Sequence, residues 1–444
     1  MERTYVSDAV SAVGRRILVQ GFVDNLRDSK NMAFIVLKDI TGKIQITIEK
    51  EAHPELCPAI AQLSEDSVIS VIGNVTPNDY VKLNGVEVIP ESIRIESVAE
   101  ALPIARKAIP ATKKKKAVER SSIDQRIDYR WIDLRTDENQ LMFQIQTAMV
   151  NSMRQFLLNQ NFLEIHTPKL IGAASESGAD VFEVKYFDRN AYLAQSPQFY
   201  KQMAMASGFE RIFEVGPVFR AEKSNTNRHT TEFTGFDLEF SYIDSYQDVM
   251  DMEAKLLTHM LGEISQRFGS RIKETFGTDV IVPTLPFPTI DLADLYEELE
   301  KKYGYTVDES EKGDLTTWAE QLSYRWVRQT YGHEFLFVTG FDAEKRAFYH
   351  MRDENGVPMG YDLIWRGVEI TTGAQREHRY DVLKKQAAEK GLEEDVRFYL
   401  EFFKYGCPPH GGFGIGIDRL TMLLLNLGIK DAMFLFRGPN RLHP

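Results

Sequence analysis

The chain has 444 residues, which is more than one ordinary hydrophobic core organises, so its length predicts two or three domains. Hydrophobic residues make up 43% and charged residues 27%, and these globular proportions exclude a fibrous or wholly disordered chain. The formal net charge of −12 excludes a uniformly basic nucleic-acid binder, although it leaves room for local basic patches.

The cysteine content and the lack of long apolar runs predict a cytoplasmic protein. Cys57 and Cys407 are too few for a disulfide framework or a four-cysteine zinc site. Residues Met1 to Tyr5 lack the apolar core of a signal peptide, and no run reaches the roughly eighteen apolar residues of a membrane span. We therefore expect no membrane partner.

The first hundred residues have the pattern of a small β-barrel. Five strand-like stretches are separated by turn residues, and a helix-like stretch, Pro54 to Leu63, falls between the third and the fourth. That order is typical of an OB-fold barrel, although the pattern alone barely separates it from any other small barrel. The strands are predicted around Arg16–Val23, Ala33–Lys38, Lys43–Ile48, Val68–Ile72 and Val86–Ile89.

A basic segment follows the predicted barrel. Residues 101–135 hold ten Lys or Arg residues against four acids, including the run Lys113 to Lys116. A solvated linker is one interpretation of the lysine run, and contact with a phosphate backbone is the other. Residues 104–135 are therefore predicted to be a basic hinge between two domains.

Residues 136–444 have the mixture of helix and strand patterns that is typical of an α+β domain. The predicted helices are Leu141–Leu158, Gln198–Met205, Tyr246–Phe268, Asp291–Tyr303, Thr316–Thr330, Glu377–Lys390 and Glu394–Tyr405. The predicted strands are Arg211–Val215, Phe233–Tyr242, Phe335–Val338, Ala347–His350 and Tyr361–Ile370. Because strands outnumber the crossovers between them, we expect a largely antiparallel sheet with helices packed on it.

Common nucleotide and hydrolase motifs are absent. Gly42-Lys43 is followed by Ile44, whereas a P-loop requires a hydroxyl residue there. The glycines from Gly411 to Gly416 fail the dinucleotide fingerprint in either register. The sequence contains neither a G-x-S-x-G elbow nor the histidine pair of a zincin.

One polar segment, Phe213 to Phe233, is predicted to be a strand, a polar loop and a second strand. Arg220 and the pair Arg228-His229 suit a polyphosphate, because guanidinium groups match phosphate oxygens. Phe233 offers a flat face to a base. The alternative is a solvated hairpin loop, which explains the arginines less well.

Two later segments also carry charge and glycine. The alternating glycines before Arg419 would let a ligand approach the backbone, and a cation at a helix start suits a bound anion. Glu369 and Thr372 offer oxygen ligands for Mg²⁺, and Arg376 suits a carboxylate. A kinked glycine strand and an exposed strand end are the alternatives.

Taken in order, these segments resemble the motifs of class II aminoacyl-tRNA synthetases of the aspartate, asparagine and lysine subgroup, over nearly the whole chain. Phe162 to Pro168 is similar to the first motif, a dimer-interface helix and strand, Gly216 to Phe233 to the second, and Gly412 to Leu420 to the third. The resemblance implies a homodimer. It also implies an α+β fold with an OB-fold anticodon-binding domain at 1–103 and a class II catalytic domain at 136–444, with an antiparallel sheet flanked by helices.

Two further segments resemble the aspartyl enzymes of the compact archaeal and eukaryotic type. Residues 173–182 resemble the loop that closes over aspartate, and residues 194–203 resemble the substrate helix, in which Lys201 pairs with the side-chain carboxylate. A carboxylate that enters a buried pocket needs such cationic partners. The implied activity is aspartate–tRNA ligase, in which L-aspartate is activated with ATP and transferred to tRNA-Asp.

Several alternatives stay open at this point. Transfer to tRNA-Asn as well is one of them. An asparaginyl or lysyl synthetase is another, and a catalytically silent, synthetase-derived RNA-binding or regulatory protein is the third.

The resemblance assigns roles residue by residue. The implied catalytic residues are Arg220, Glu369 and Arg419. The implied aspartate pocket consists of Glu176, Ser196, Gln198, Lys201, Arg220, Asp237, Thr372 and Arg376. The implied ATP site consists of Arg220, Glu222, Arg228, His229, Thr230, Phe233, Glu369, Gly416 and Arg419. The implied cofactor is Mg²⁺, bound by Glu369 and Thr372.

On the barrel, the resemblance implies an anticodon site with an aromatic residue that stacks on a base. The matching positions are Arg27, Phe34 and Gln45. Phe34 as an ordinary core residue is the alternative. The chain departs from the family at Leu435 to Gly438, where the usual sequence is Phe-Pro-Arg-Asp.

Overall fold

The computed structural model describes residues 1–108, 117–172, 181–222 and 230–444. These residues form two compact units, Met1–Ser121 and Ser122–Pro444. Within the described part of the chain, no helix is both long enough and apolar enough to cross a membrane.

The first unit is a closed barrel of five strands in the order β1-β2-β3-β5-β4, counted over its described residues. Ala33, Ile35 and Leu37 alternate with outward side chains and are fully buried, as expected for a strand with one face in a core. A 3₁₀ turn and helix α2 separate β3 from β4, so the predicted OB-fold is confirmed. The elements are α1 (Val6–Ala9), β1 (Arg16–Asp28), β2 (Met32–Lys38), β3 (Lys43–Glu49), α2 (Cys57–Ile60), β4 (Val68–Pro77) and β5 (Val86–Ser97).

The second unit combines a large sheet with helices, as the α+β prediction requires. Its strands are β6 (Leu163–Glu164), β7 (Leu170–Ile171), β8 (Glu183–Tyr186), β9 (Arg189–Leu193), β10 (Arg211–Phe219), β11 (Glu232–Ser241), β12 (Thr289–Asp291), β13 (Phe335–Thr339), β14 (Gly360–Trp365), β15 (Val368–Arg376) and β16 (His410–Gly416). Its helices are α3 (Ile123–Asp128), α4 (Arg130–Asp133), α5 (Asp137–Leu158), α6 (Gln198–Ala206), α7 (Tyr246–Phe276), α8 (Leu292–Tyr303), α9 (Thr317–Tyr331), α10 (Tyr380–Glu389), α11 (Arg397–Lys404), α12 (Ile417–Leu425) and α13 (Ile429–Ala432).

Eight of the described strands form one sheet in the order β12-β13-β14-β15-β16-β11-β10-β6. Its centre is antiparallel, which confirms the predicted sheet, and only the edge pairs β12–β13 and β6–β10 are parallel. Strands β7, β9 and β8 form a separate small sheet.

Helices α5 and α7 cover one face of the large sheet and form its main hydrophobic core. Phe236, Leu238 and Phe413 point into this core from β11 and β16. Helix α7 begins with a capping box between Ser245 and Asp248, which satisfies backbone N–H groups at its start. Because strand side chains alternate, the residues between these apolar positions face the opposite side of the sheet.

Two predicted strands differ in the structure. Ala347–His350 is a turn with a single bridge to Arg376, because Phe348 packs with α10 and α11 in a satellite core instead of extending the sheet. Tyr361–Ile370 is two strands, β14 and β15, since Arg366 and Gly367 have φ values of 50° and 79° and form a turn.

Candidate active site

A pocket of about 340 Å³ opens on the sheet face opposite α5 and α7. It is lined by every predicted active-site residue that the structure describes: Ser196, Gln198, Lys201, Arg220, Glu222, Thr230, Phe233, Asp237, Glu369, Thr372, Arg376, Gly416 and Arg419. Glu176, Arg228 and His229 lie outside the described residues.

Strand alternation explains why two acids lie on the pocket side of β11. Asp237 and Glu239 lie two residues apart on β11 and therefore point to the same face. Their partners across β16 are Gly414 and Gly412, which leave the space beside the carboxylates open. The alternating glycines of the sequence thus have a steric function here.

Two buried cations meet these acids. Lys201 Nζ donates to Asp237 Oδ1 at 3.1 Å and lies 3.4 Å from Glu239 Oε2. Arg376 donates through Nε to Glu239 Oε1 at 3.0 Å and through Nη2 to the Gly412 carbonyl at 2.7 Å. Burial would raise the pKa of Glu239, but the charges of Arg376 and Lys201 outweigh it and hold that pKa below its ordinary value.

Arg220, Phe233 and Arg419 form a second group of residues in the pocket lining. The Arg220 guanidinium is 5.4 Å from the centre of the Phe233 ring. A Cβ atom on Gly416 would lie 3.6 Å from Arg419 and 3.8 Å from Phe233, so this glycine sits between the two side chains. Arg419 Nη1 donates to the Glu369 carbonyl at 2.8 Å. This group combines an aromatic face with cations, which suits the base and the phosphates of a nucleotide.

A β-bulge brings Glu369 and Thr372 together. The pairing of β14 with β15 skips Ile370, so Glu369 opposes Ile364 while Thr371 opposes Leu363. In a regular strand, residues three apart face opposite sides, whereas here Thr372 Oγ1 lies 3.1 Å from Glu369 Oε1. The extra residue therefore turns Glu369 towards the pocket.

The oxygen atoms at this bulge fit a divalent cation. Thr372 Oγ1 also contacts Asp362 Oδ1 at 2.9 Å, and Arg346 binds both oxygens of Asp362 at 2.8 and 2.6 Å. Burial and the neighbouring Glu369 charge raise the pKa of Asp362 to about 7, against the opposing effect of Arg346. Carboxylate and hydroxyl oxygens suit Mg²⁺, which commonly completes its shell with water and substrate phosphates. No set of three or more His, Cys, Asp or Glu residues suited to a metal occurs in the described chain.

Comparison with known protein families identifies the family of this chain. The model for tRNA synthetases class II (D, K and N) matches residues 122–437, and the model for the OB-fold nucleic acid binding domain matches residues 17–96. The chain belongs to the class II tRNA synthetases. It is accordingly an aminoacyl-tRNA ligase, and enzymes of this family use ATP and bind an amino acid and tRNA.

Similar proteins match this synthetase over all or nearly all of its length. The aspartate–tRNA(Asp/Asn) ligase of Methanopyrus kandleri is 41% identical over 438 residues, which cover 97% of this chain and 96% of that protein. The aspartate–tRNA(Asp) ligase of Pyrococcus horikoshii is 37% identical and covers 100% of both chains. The crystal structure of asparaginyl-tRNA synthetase from Pyrococcus horikoshii complexed with asparaginyl-adenylate superposes with a TM-score of 0.88 at 29% identity over 100% of both chains.

Several residues in or directly beside the synthetase pocket were missed by the sequence analysis. Glu239 could have been found, because it follows Asp237 by two positions on the same predicted strand. Asp362 also had a signal, since it is the one charged residue of the apolar strand β14. Tyr349 and His350 line the pocket from a turn that the sequence pattern had predicted to be a strand, and nothing local indicated their position.

The predicted anticodon residues share one outer face of the barrel. Arg27 pairs across the strands with Phe34, and Gln45 pairs with Val36 on the adjacent strand. Phe34 is half-buried between the fully buried Ala33 and Ile35, so it points away from the core and the core alternative is wrong. Anticodon binding by this face stays a prediction.

Proposed function

We propose that this synthetase activates L-aspartate with ATP and transfers it to the 3′ end of tRNA-Asp. The observation that carries the proposal is the convergence of two buried cations, Lys201 and Arg376, in one pocket. A carboxylate side chain needs such partners when it leaves water, whereas a neutral amide does not and a lysine ammonium would be repelled. The names of the two aspartate–tRNA ligases that resemble this chain support the same choice.

The internal ion pairs leave capacity for a substrate carboxylate. A guanidinium carries five N–H donors, and Arg376 commits Nε and one donor of Nη2 to protein groups. Asp237 and Glu239 hold Lys201 and Arg376 in a fixed geometry, which lowers the reorganisation needed when the substrate binds. The predicted roles of Ser196 and Gln198 place the amino end of aspartate beside this group.

The proposed first step is an in-line displacement at the α-phosphorus of ATP. The α-carboxylate of aspartate attacks, a P–O bond forms, and pyrophosphate leaves with the electron pair of the bond that breaks. Arg220 is proposed to bind the α-phosphate and the attacking carboxylate, while Glu222 and Thr230 contact the nucleotide. Phe233 and Arg419 are proposed to enclose the adenine ring.

Glu369 and Thr372 would hold Mg²⁺, and the ion would supply positive charge that neutralises the phosphates. Arg228 and His229 are proposed phosphate ligands, and Glu176 a proposed contact of the aspartate loop, on the resemblance alone. In the second step a ribose hydroxyl of the terminal adenosine attacks the acyl carbonyl, and AMP leaves.

The wider assignments are also proposals. We infer a homodimer from the likeness of Phe162 to Pro168 to an interface motif, and a cytoplasmic location from the free Cys57 and Cys407. The barrel at 1–103 is proposed to bind the anticodon, with 104–135 as the connector to a catalytic domain at 136–444. Of the two relatives, one is named for tRNA(Asp/Asn) and the other for tRNA(Asp), so tRNA-Asn is the second candidate acceptor.

ATP–pyrophosphate exchange across amino acids tests the proposal. We expect exchange with aspartate and none with asparagine or lysine. Exchange with asparagine alone would establish the asparaginyl alternative, and no exchange with any amino acid would establish a silent synthetase-derived protein. Aminoacylation of purified tRNA-Asp and tRNA-Asn side by side then decides the acceptor.

A further inference from the structure

A chain of hydrogen bonds lies behind Gln198 and away from the pocket. The Gln198 amide nitrogen donates to Gln202 Oε1 at 2.8 Å, and the Tyr399 hydroxyl donates to the same oxygen at 3.0 Å. The Gln202 amide nitrogen lies 3.0 Å from His410 Nε2, and His410 Nδ1 lies 2.8 Å from the Pro408 carbonyl. Gln202, Tyr399 and His410 are completely buried, and Gln198 is 4% exposed.

The Pro408 carbonyl determines which group is the donor in each of these hydrogen bonds. A carbonyl only accepts, so His410 Nδ1 carries the proton and Nε2 is left as an acceptor. Burial lowers the pKa of His410 to about 4 despite the neighbouring Glu239 carboxylate, so the ring is neutral near pH 7. Gln202 must therefore donate from its nitrogen to His410 and accept at its oxygen.

The orientation of Gln202 in turn fixes that of Gln198. Because Gln202 Oε1 can only accept, the nitrogen of the Gln198 amide must point towards it. The carbonyl oxygen of Gln198 is then left for the pocket that this residue lines. A flipped amide would present its NH₂ group there instead, and two donors would face any ammonium group in the pocket.

We propose that Gln202 and His410 are positioning residues, which fix the amide of Gln198 so that its oxygen accepts a hydrogen bond from the α-ammonium group of the amino-acid substrate. The inference rests on the proposed amino-acid activation. It does not depend on which amino acid is used, because aspartate, asparagine and lysine all carry an α-ammonium group. Gln202 would thereby help to distinguish an amino acid from a carboxylic acid of the same shape without touching either.

Succinate provides the test, because it keeps both carboxylates of aspartate and lacks the α-ammonium group. Dissociation constants for aspartate and succinate are measured by titration calorimetry on the full-length wild-type protein and on two variants. Gln202→Met removes all three side-chain hydrogen bonds of Gln202 at similar volume. Gln202→Glu is the matched control, because its carboxylate still accepts from Gln198 and favours a proton on His410 Nε2.

We expect a selective loss of aspartate binding. Gln202→Met should weaken aspartate binding about 10-fold and leave succinate binding within twofold, since only the hydrogen bond to a charged group is lost. Gln202→Glu should keep most of the aspartate preference. Equal weakening of both ligands by Gln202→Met, or of neither, would overturn the positioning role, because a purely structural residue would affect both alike.

A second variant covers the case in which Gln202→Met does not fold. Tyr399→Phe deletes one oxygen and keeps the packing of the ring, and we expect a loss of about two- to threefold in the same aspartate-to-succinate preference. An unchanged preference would overturn the inference.

The proposed function can fail separately from this inference. A wild-type protein that binds asparagine and not aspartate contradicts aspartate activation, and asparagine with succinamate then tests Gln202 in the same way. A wild-type protein that binds none of these amino acids overturns both.

Discussion

Asp237 and Gly414 face each other across β11 and β16, and a Cβ atom on residue 414 would lie 2.6 Å from Asp237 Oδ1. The same oxygen accepts the hydrogen bond of Lys201 Nζ at 3.1 Å. The missing side chain of Gly414 therefore gives this carboxylate the space in which it orients the lysine.

Gly414→Ala should impair amino-acid binding more than ATP binding. The added methyl displaces Asp237 and with it Lys201, so we expect the KM for aspartate to rise at least about 10-fold and the KM for ATP to stay within about twofold in pyrophosphate exchange. Gly262→Ala in α7 is the control, because its Cβ meets no atom within 4 Å. Equal rises in both KM values would contradict this account.

Lys201→Met should remove most aspartate activation. The substitution keeps the length of the side chain but deletes one of the two cations proposed to bind the substrate carboxylate, and losing one partner of a buried charge pair in a complex costs about 2–5 kcal/mol. We expect kcat/KM for aspartate to fall at least about 30-fold. ATP affinity, measured by equilibrium binding, should change little. Lys255→Met on the exposed side of α7 is the control, and normal aspartate kinetics in Lys201→Met would exclude this lysine from the pocket.

Local patterns were sufficient to predict much of the catalytic sheet. The period-two alternation around Phe236 to Phe240 indicates a strand with one apolar face, and the acid at position 237 must then face the other way. The spacing of the glycines in β16 likewise predicts that one face of this strand carries no side chains. These features depend on residues that are close in the sequence, so a local sequence pattern is sufficient to predict them.

Features that depend on distant contacts could not be predicted. The bulge at Ile370 changes the face of Glu369, and nothing within β15 marks the skipped residue. Phe348 has a strand-like sequence context, but its environment comes from α10 and α11, which follow it in the chain. In both cases tertiary packing overrides the local preference.

Glu369→Gln should make exchange more dependent on Mg²⁺. The amide keeps the shape of the side chain but loses the charge that attracts the cation, so the Mg²⁺ concentration for half-maximal exchange should rise about 10-fold. Removal of the metal with EDTA should stop exchange in wild type and variant. Glu389→Gln, at an exposed position on α10, serves as the control. An unchanged Mg²⁺ titration would rule out Glu369 as a ligand.

Phe34→Ala on the barrel should separate tRNA charging from amino-acid activation. Stacking of one base on an aromatic ring contributes about 1–3 kcal/mol, so the KM for tRNA should rise about 5- to 150-fold. Pyrophosphate exchange without tRNA should stay at the wild-type rate, because the barrel and the pocket lie in different units. Phe22→Ala is the matched control, since Phe22 also lies on the surface of the barrel and is 38% exposed. Equal losses of charging in both variants would point to a damaged barrel and against stacking.

Glu253 on α7 should make the catalytic unit less stable as the pH rises. Its carboxyl is completely buried and accepts a hydrogen bond from the Tyr361 hydroxyl at 2.7 Å. Burial raises the pKa of Glu253 to about 8, from an ordinary value of 4.5. Between these two values the folded protein keeps a proton that the unfolded chain releases. The stabilising contribution is therefore complete below pH 4.5 and is lost as the pH rises to 8, by about 1.4 kcal/mol per pH unit.

Glu253→Gln removes this titration, so the free energy of unfolding of the variant should increasingly exceed that of the wild type from pH 5 to pH 8. Urea unfolding followed by tryptophan fluorescence reports on the second compact unit, Ser122–Pro444, because all four tryptophans, Trp131, Trp318, Trp326 and Trp365, lie in it. Glu274→Gln, exposed on the same helix, should keep the pH dependence of the wild type. A constant difference between wild type and Glu253→Gln across this range would mean that the buried carboxyl titrates at its ordinary pKa.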